Sequence, residues 1–280
     1  NFRRFITEQE SYEQILKTAE EIASAPSTEM PTKPLAVQKQ SLQVKKRKLG
    51  KFKDPYGKYG VYNAGNFGKK ERSKDKITCI VIHESGTPRI AGLLATLNAG
   101  KHSVNWAVTS GKKEQLIPTH HKTIHAPGYN SPSIGIEVNH AYNKGKNGEK
   151  PFPAPWLATY PNYGPPTEQT LEATYSLCKD LCSKWGIPFT IANLDGNKYE
   201  LTAKKRPHSG IIAHAAVQTN RSDGLFPCLY MALRQNGYSP SQARQQSINL
   251  MTGINRRDTP TIIIPSAGVS SIPSSAGEAI

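Results

Sequence analysis

The chain has 280 residues, with 36 Lys and Arg against 21 Asp and Glu and a formal net charge of +15. At about 150 residues per domain, that length allows one large domain with tails or two small ones. No run of about 18 apolar residues occurs, which excludes a transmembrane helix. Four Cys are too few for a disulfide scaffold, and the positive charge selects a polyanionic partner such as nucleic acid, an anionic membrane or an acidic cell-wall polymer. The sequence opens on Asn1 rather than Met and shows no signal peptide, so a processed or truncated chain is expected.

Residues 8–24 are predicted to form a helix. Thr7 and Glu10 have capping-box spacing, and Tyr12, Ile15, Leu16, Ala19 and Ile22 recur on one face until Pro26, Pro31 and Pro34 end it. From Gln38 to Lys76 there are 13 basic residues against three acids and no apolar periodicity, so this stretch reads as a basic linker or surface-hugging extension. Its Lys45-Lys46-Arg47-Lys48 run is the kind of patch that binds nucleic acid. No nucleic-acid module accompanies it, so docking to anionic wall polymer or an acidic protein fits as well.

At Ile77 the character changes. Ile77–Ile82 is a continuous β-rich run, as a strand buried on both faces requires. A helix is expected at Ile90–Ala99, then strands at Asn105–Thr109, Glu114–Ile117 and Ser133–Val138. A Gly, Pro and aromatic-rich loop spans Asn139–Pro166, and a helix runs over Thr167–Trp185 behind the N-cap Thr167. Short strands at Phe189–Ala192 and Ile211–Ala213 flank a polar loop, Asn193–Gly210. Helices follow at Pro227–Gln235 and about 239–256, then a Ser/Pro/Ala-rich tail broken by Ile262–Ile264. Alternating strands and helices predict an α/β domain with a mixed central β-sheet flanked by helices. The expected division is residues 1–75 as an N-terminal extension, 76–237 as the α/β domain and 238–280 as a C-terminal helix and tail.

Three short stretches suggest chemistry. His83 and His214 each close an apolar strand, and Asp223 lies nine residues beyond His214. Two imidazoles at neighbouring strand ends and a carboxylate on the next loop would supply three ligands of a tetrahedral zinc site, with water in the fourth position. Taken singly, each His also reads as a partly buried structural residue. His120-His121 is a weaker candidate for a second metal site. Cys79, Cys178, Cys182 and Cys228 read as core packing, and His102, His140 and His208 as surface residues.

The neighbouring segments sharpen this picture. Val81-Ile82-His83, Glu114–Pro118, Ile124-His125-Ala126-Pro127-Gly128, Ser133–Glu137, Trp185–Pro188 and Ile212-Ala213-His214 leading to Arg221-Ser222-Asp223 occur in one order. In that order the chain resembles, over about residues 77–235, the zinc-dependent N-acetylmuramoyl-L-alanine amidases of the type-2 and peptidoglycan-recognition-protein family, which includes phage lysozyme-like amidases. The resemblance implies a Zn2+ cofactor held by His83, His214 and Asp223, and a catalytic Glu137. It also implies a cation at Arg221, where the family usually has Lys, able to stabilise an oxyanion. His125 matches a groove-lining His, with Ile124 in place of the family's Trp. With Trp106 and Trp156 it completes the candidates for substrate binding. Many members carry a His, and some a catalytic Tyr, where this chain has Val104-Asn105-Trp106. Trp156, Tyr160 and Tyr163 would either wall the groove or pin the long loop to the body.

The implied activity is cleavage of the N-acetylmuramoyl-L-alanine amide in bacterial peptidoglycan, outside the cytoplasm. The long flanks suggest carriage in a phage virion through contacts with virion or tail proteins. The alternatives are a peptidoglycan-binding module of the same fold that does not cut, and a basic nucleic-acid-binding structural protein.

Overall fold

Six consecutive buried residues, Cys79 to Glu84, form an interior strand of a five-stranded sheet. The computed structural model describes residues 67–140, 151–154, 162–201, 209–218, 221–254 and 261–266. The helix expected over 8–24, the basic run at 45–48, Trp156, Tyr160 and His208 lie outside them.

In chain order, β1 (Phe67–Glu71) leads through a single 3-10 turn to β2 (Cys79–Glu84), α1 (Ile90–Ala99), β3 (Trp106–Thr109) and β4 (Lys112–Gln115). Next come β5 (His121–Thr123), β6 (Ser133–Asn139), β7 (Phe152–Pro153), β8 (Asn162–Tyr163) and α2 (Glu168–Trp185). The hairpin β9 (Leu194–Asp195) and β10 (Lys198–Glu200) precedes β11 (Gly210–Ala213) and the single-turn α3 (His214–Val217). Helices α4 (Leu225–Gln235) and α5 (Pro240–Met251) and strand β12 (Thr261–Ile263) complete the described chain.

The main sheet has the order β11-β2-β6-β3-β4, parallel except for β4, so the expected mixed α/β class is observed. Parallel strands need helical crossovers, and helices therefore cover both faces. On one face Leu93, Leu94 and Leu97 of α1 pack with Val104, Ala107 and Leu116. On the other, α2 and α4 pack with Ile80, Ile82, Ile134 and Ile136 in the main core. Met251, Ile262 and Ile264 join that same core, so α5 and β12 continue the body past residue 237. Among the described residues, no helix is long and apolar enough to cross a membrane.

Local chemistry sets several boundaries. Thr167 caps α2 by accepting from the Thr170 amide, and Gly186 ends it in the left-handed region. β4 stops at Gln115 because the amides of Leu116 and Ile117 turn to the Asn105 carbonyl. The strand expected at Phe189–Ala192 reduces to one bridge, Ile191 to Ile211, because Asn193 redirects the chain by donating its side-chain amide to Glu200 O at 2.9 Å. Arg72 anchors the entry into the domain, donating to four backbone carbonyls (Ser131, Ser133, Thr119 and His121) at 2.6–2.8 Å.

Candidate metal centre and active site

Register assembles the site. Ile82 pairs with Ala213 across β2 and β11, so His83 and His214, one residue further on, emerge side by side at the carboxyl ends of parallel strands. His83 itself pairs with Glu137 on β6, which pairs in turn with Ala107 on β3. Paired residues share a face, so His83 and Glu137 point to the α1 side. Asp223 returns on the loop after α3. Its Oδ2 lies 2.9 Å from His214 Nδ1 and 3.4 Å from His83 Nδ1. One donor atom from each of the three residues falls within 4.8 Å of the others.

Hydrogen bonds behind the ligands decide which nitrogens carry protons. Ser133 Oγ donates to the Tyr129 carbonyl at 2.5 Å, so it accepts from His125 Nε2 at 3.1 Å. His125 Nδ1 is then an acceptor, and His83 Nε2 donates to it at 2.8 Å. This leaves a lone pair on His83 Nδ1, aimed at Asp223. His214 Nε2 lies 2.6 Å from Gln218 Oε1, an acceptor that favours the tautomer with Nδ1 turned to Asp223. Two imidazole nitrogens and a carboxylate oxygen thus converge, a donor set that could hold a cation. Gly135 makes the relay possible, since a Cβ there would come within 3.0–3.2 Å of the His125 ring.

The electrostatics agree. Burial, followed by the neighbouring His214, lowers the His83 pKa to about 4, and burial holds His125 well below its usual value, so both rings are neutral. Burial would raise the Asp223 carboxyl, but His214 and His83 together hold it well below the usual carboxylate range. Neutral imidazoles and an ionised carboxylate are the forms that bind metal. Glu137 behaves oppositely: burial, then the charges of Asp223 and Glu84, push it well above its usual value, and only Arg221 opposes this. Its Oε2 is buried and makes no hydrogen bond among the described residues.

Residues 73–225, more than half of the chain, match the N-acetylmuramoyl-L-alanine amidase family Amidase_2. The chain belongs to this family. The amidase is also similar to three solved structures. With Staphylococcus aureus hydrolase AmiA in complex with its ligand it shares 15% identity over 64% of this chain and 78% of that one, at a TM-score of 0.36. With AmiD, the N-acetylmuramyl-L-alanine amidase from E. coli, identity is 21% over 61% of each chain, at 0.38. With Drosophila peptidoglycan recognition protein SA it is 18% over 60% of this chain and 82% of that one, at 0.35. A comparison with curated proteins gives no significant match.

The other expected site residues of the amidase fall in different places. His125 lies directly behind His83, where it orients that ring. Trp106 is half-buried against the main core, with its indole N–H donated to Thr119 Oγ1 at 2.9 Å. Arg221 is exposed, and its charge acts on both His83 and Glu137. Asn105 is a buried joint. It donates to the Pro118 and His121 carbonyls and accepts from Thr123 Oγ1 and the Gly135 amide.

His102 is exposed, as expected, whereas His140 is 2% exposed and fully engaged. Tyr163 is buried and pins its loop to the body. All four cysteines are buried thiols, with Cys79 and Cys182 pushed up to about 12 by burial. Glu71, His120 and His121 also bring donor atoms within 4.8 Å of one another, but Glu71 is 72% exposed and its 3.4 Å contact with His120 is an ordinary surface ion pair. Glu84 and Gln218 are site residues that sequence reasoning misses. The one available signal for Glu84 is an acid ending an otherwise apolar buried strand.

Proposed function

We propose that this amidase is a zinc enzyme that hydrolyses the amide between the lactyl group of N-acetylmuramic acid and L-Ala of the stem peptide. The observation that carries the reading is the convergence of His83 Nδ1, His214 Nδ1 and Asp223 Oδ2, a donor set suited to zinc with a position left for water. Zinc bound there would supply Lewis acidity at the scissile carbonyl and lower the pKa of its water to about 7.

The chain's own residues do the rest. Glu137, close enough to Asp223 for that charge to raise its pKa, takes the proton of the attacking water and delivers it to the leaving amine. Arg221 supplies a fixed positive charge to the oxyanion that forms. His125 and Gln218 keep the ligand rings in the tautomers that coordinate. Trp106 and Trp156 are the residues assigned to the substrate groove, while His125, expected there, serves behind His83 instead.

The test is zinc content and peptidoglycan digestion on one purified sample, with and without chelator, and mass spectrometry of the new ends. About one zinc per chain is expected for such a site, with chelator-sensitive appearance of L-Ala amino ends. Zinc without cleavage would make the protein a peptidoglycan-binding module, and absence of zinc would remove the metal reading. Carriage in a phage virion is the proposed setting. Purified particles should digest peptidoglycan and contain the chain, and its absence from them overturns the setting alone.

A further inference from the structure

Behind the metal ligands lies a second polar cluster that the proposed chemistry does not use. Glu84 ends β2, and strand alternation sends its side chain to the face opposite His83. That side chain is fully buried, yet its carboxylate meets three donors. Oε1 accepts from His140 Nε2 at 2.8 Å and from the Tyr163 hydroxyl at 2.5 Å, and Oε2 accepts from the Gly224 amide at 2.6 Å. His140 Nδ1 lies 3.0 Å from the Gly164 carbonyl, so the ring bridges that carbonyl and Glu84.

The Gly224 amide belongs to the peptide that leaves Asp223. The carbonyl of that same peptide accepts from the Ala215 amide at 3.0 Å. The Asp223–Gly224 peptide is thus gripped at both ends, by α3 on one side and by Glu84 on the other. His140 and Tyr163 stand on either side of residues 141–161 in the chain, so the same carboxylate also joins both ends of the long loop to the ligand loop.

We infer that Glu84 is a positioning residue of the metal centre: it sets the Asp223–Gly224 peptide so that the Asp223 carboxylate meets His83 and His214, and so it sets the affinity of the site for its metal. The inference rests on the zinc reading above. A carboxylate is needed because acceptors are required at both oxygens. Gln keeps the volume but presents an NH2 group where one donor already points. Partners behind a metal's ligands typically govern about 10- to 100-fold in metal affinity.

The experiment is a zinc titration of the full chain against a chromophoric chelator, for the parent and for Glu84→Gln, with Co2+ absorption spectra of both. The expected result is a folded Glu84→Gln protein whose zinc dissociation constant is weakened about 10- to 100-fold and whose cobalt spectrum is altered. A folded variant that binds zinc within about two-fold of the parent, with an unchanged spectrum, overturns the positioning role, because a purely structural residue would change thermal stability and not these readouts. Should Glu84→Gln fail to fold, Tyr163→Phe, which removes the hydroxyl donor to Glu84 Oε1, is expected to weaken zinc several-fold, and unchanged affinity overturns the inference. A parent chain that binds no zinc would instead refute the zinc reading itself.

Discussion

Glu137→Ala retains zinc and the fold but lowers amide hydrolysis by about 10²- to 10⁴-fold, the usual worth of a positioned general acid–base group. Three observations single this carboxyl out. It pairs in register with the candidate ligand His83, so the ladder holds it beside the candidate metal centre. It is buried, and its Oε2 is uncommitted among the described residues, unlike the three-fold bonded Glu84. Its affinity for a proton is raised by burial and by two neighbouring negative charges. A carboxyl serving only as a salt-bridge anchor would have its oxygens engaged. Initial rates on purified peptidoglycan fragments, with zinc content measured on the same sample, check the prediction, and a parent-like rate would refute it.

Arg221 bears on the same group. Among the described residues its charge favours the ionised form of Glu137, so Arg221→Ala should raise the Glu137 pKa further. Glu137 acts as a base and must be ionised to take a proton. The acidic limb of the rate profile is therefore expected to move to higher pH in that variant, and a limb that stays in place would separate Arg221 from Glu137.

Gly224→Ala should destabilise the protein by about 3 kcal/mol or more, a magnitude reached through backbone strain and overpacking rather than through lost contacts. Gly224 has φ of +85°, in the left-handed region. A Cβ there would lie 2.2 Å from the Ile82 carbonyl oxygen, 3.0 Å from His214 N and 3.1 Å from Ala213 Cα. These are backbone atoms of β2 and of the β11–α3 junction and cannot rotate aside. Gly196 is the matched control, with φ of +57° and nothing within 4 Å of a Cβ at that position, so Gly196→Ala should cost only the conformational penalty of about 1–2 kcal/mol. Denaturant unfolding of both variants checks the difference. Equal losses would mean that the close approach of Gly224 to β2 is unimportant.

The candidate ligand set and most of the elements are legible in the amino-acid sequence. Ile77–Ile82 announces a strand buried on both faces because its apolar run is unbroken, and α2 announces itself through Thr167, its periodic face and Gly186. These signals are local, since a helix closes its hydrogen bonds within four residues and a buried strand needs only apolar composition. His83, His214 and Asp223 can be proposed from the ends of such strands and from the motif order.

What long-range pairing decides is not legible there. The bond from the Gly224 amide to Glu84 joins residues 140 apart in the chain, and nothing in either neighbourhood encodes it. His140 reads as a surface residue because its flanks are polar, yet its two ring nitrogens are satisfied from Gly164 and from Glu84, which allows burial. The hairpin of β9 and β10 with β12 arises in the same way: its strands are two or three residues long, too short for a periodic signal, and are held by pairing to one another. Local sequence determined which residues could bind metal and which segments were strands or helices. The tertiary fold alone decided the lateral register that sets His83 beside His214 and Glu137, and the hydrogen bonds that choose their tautomers, because those depend on groups that meet only after the sheet has closed.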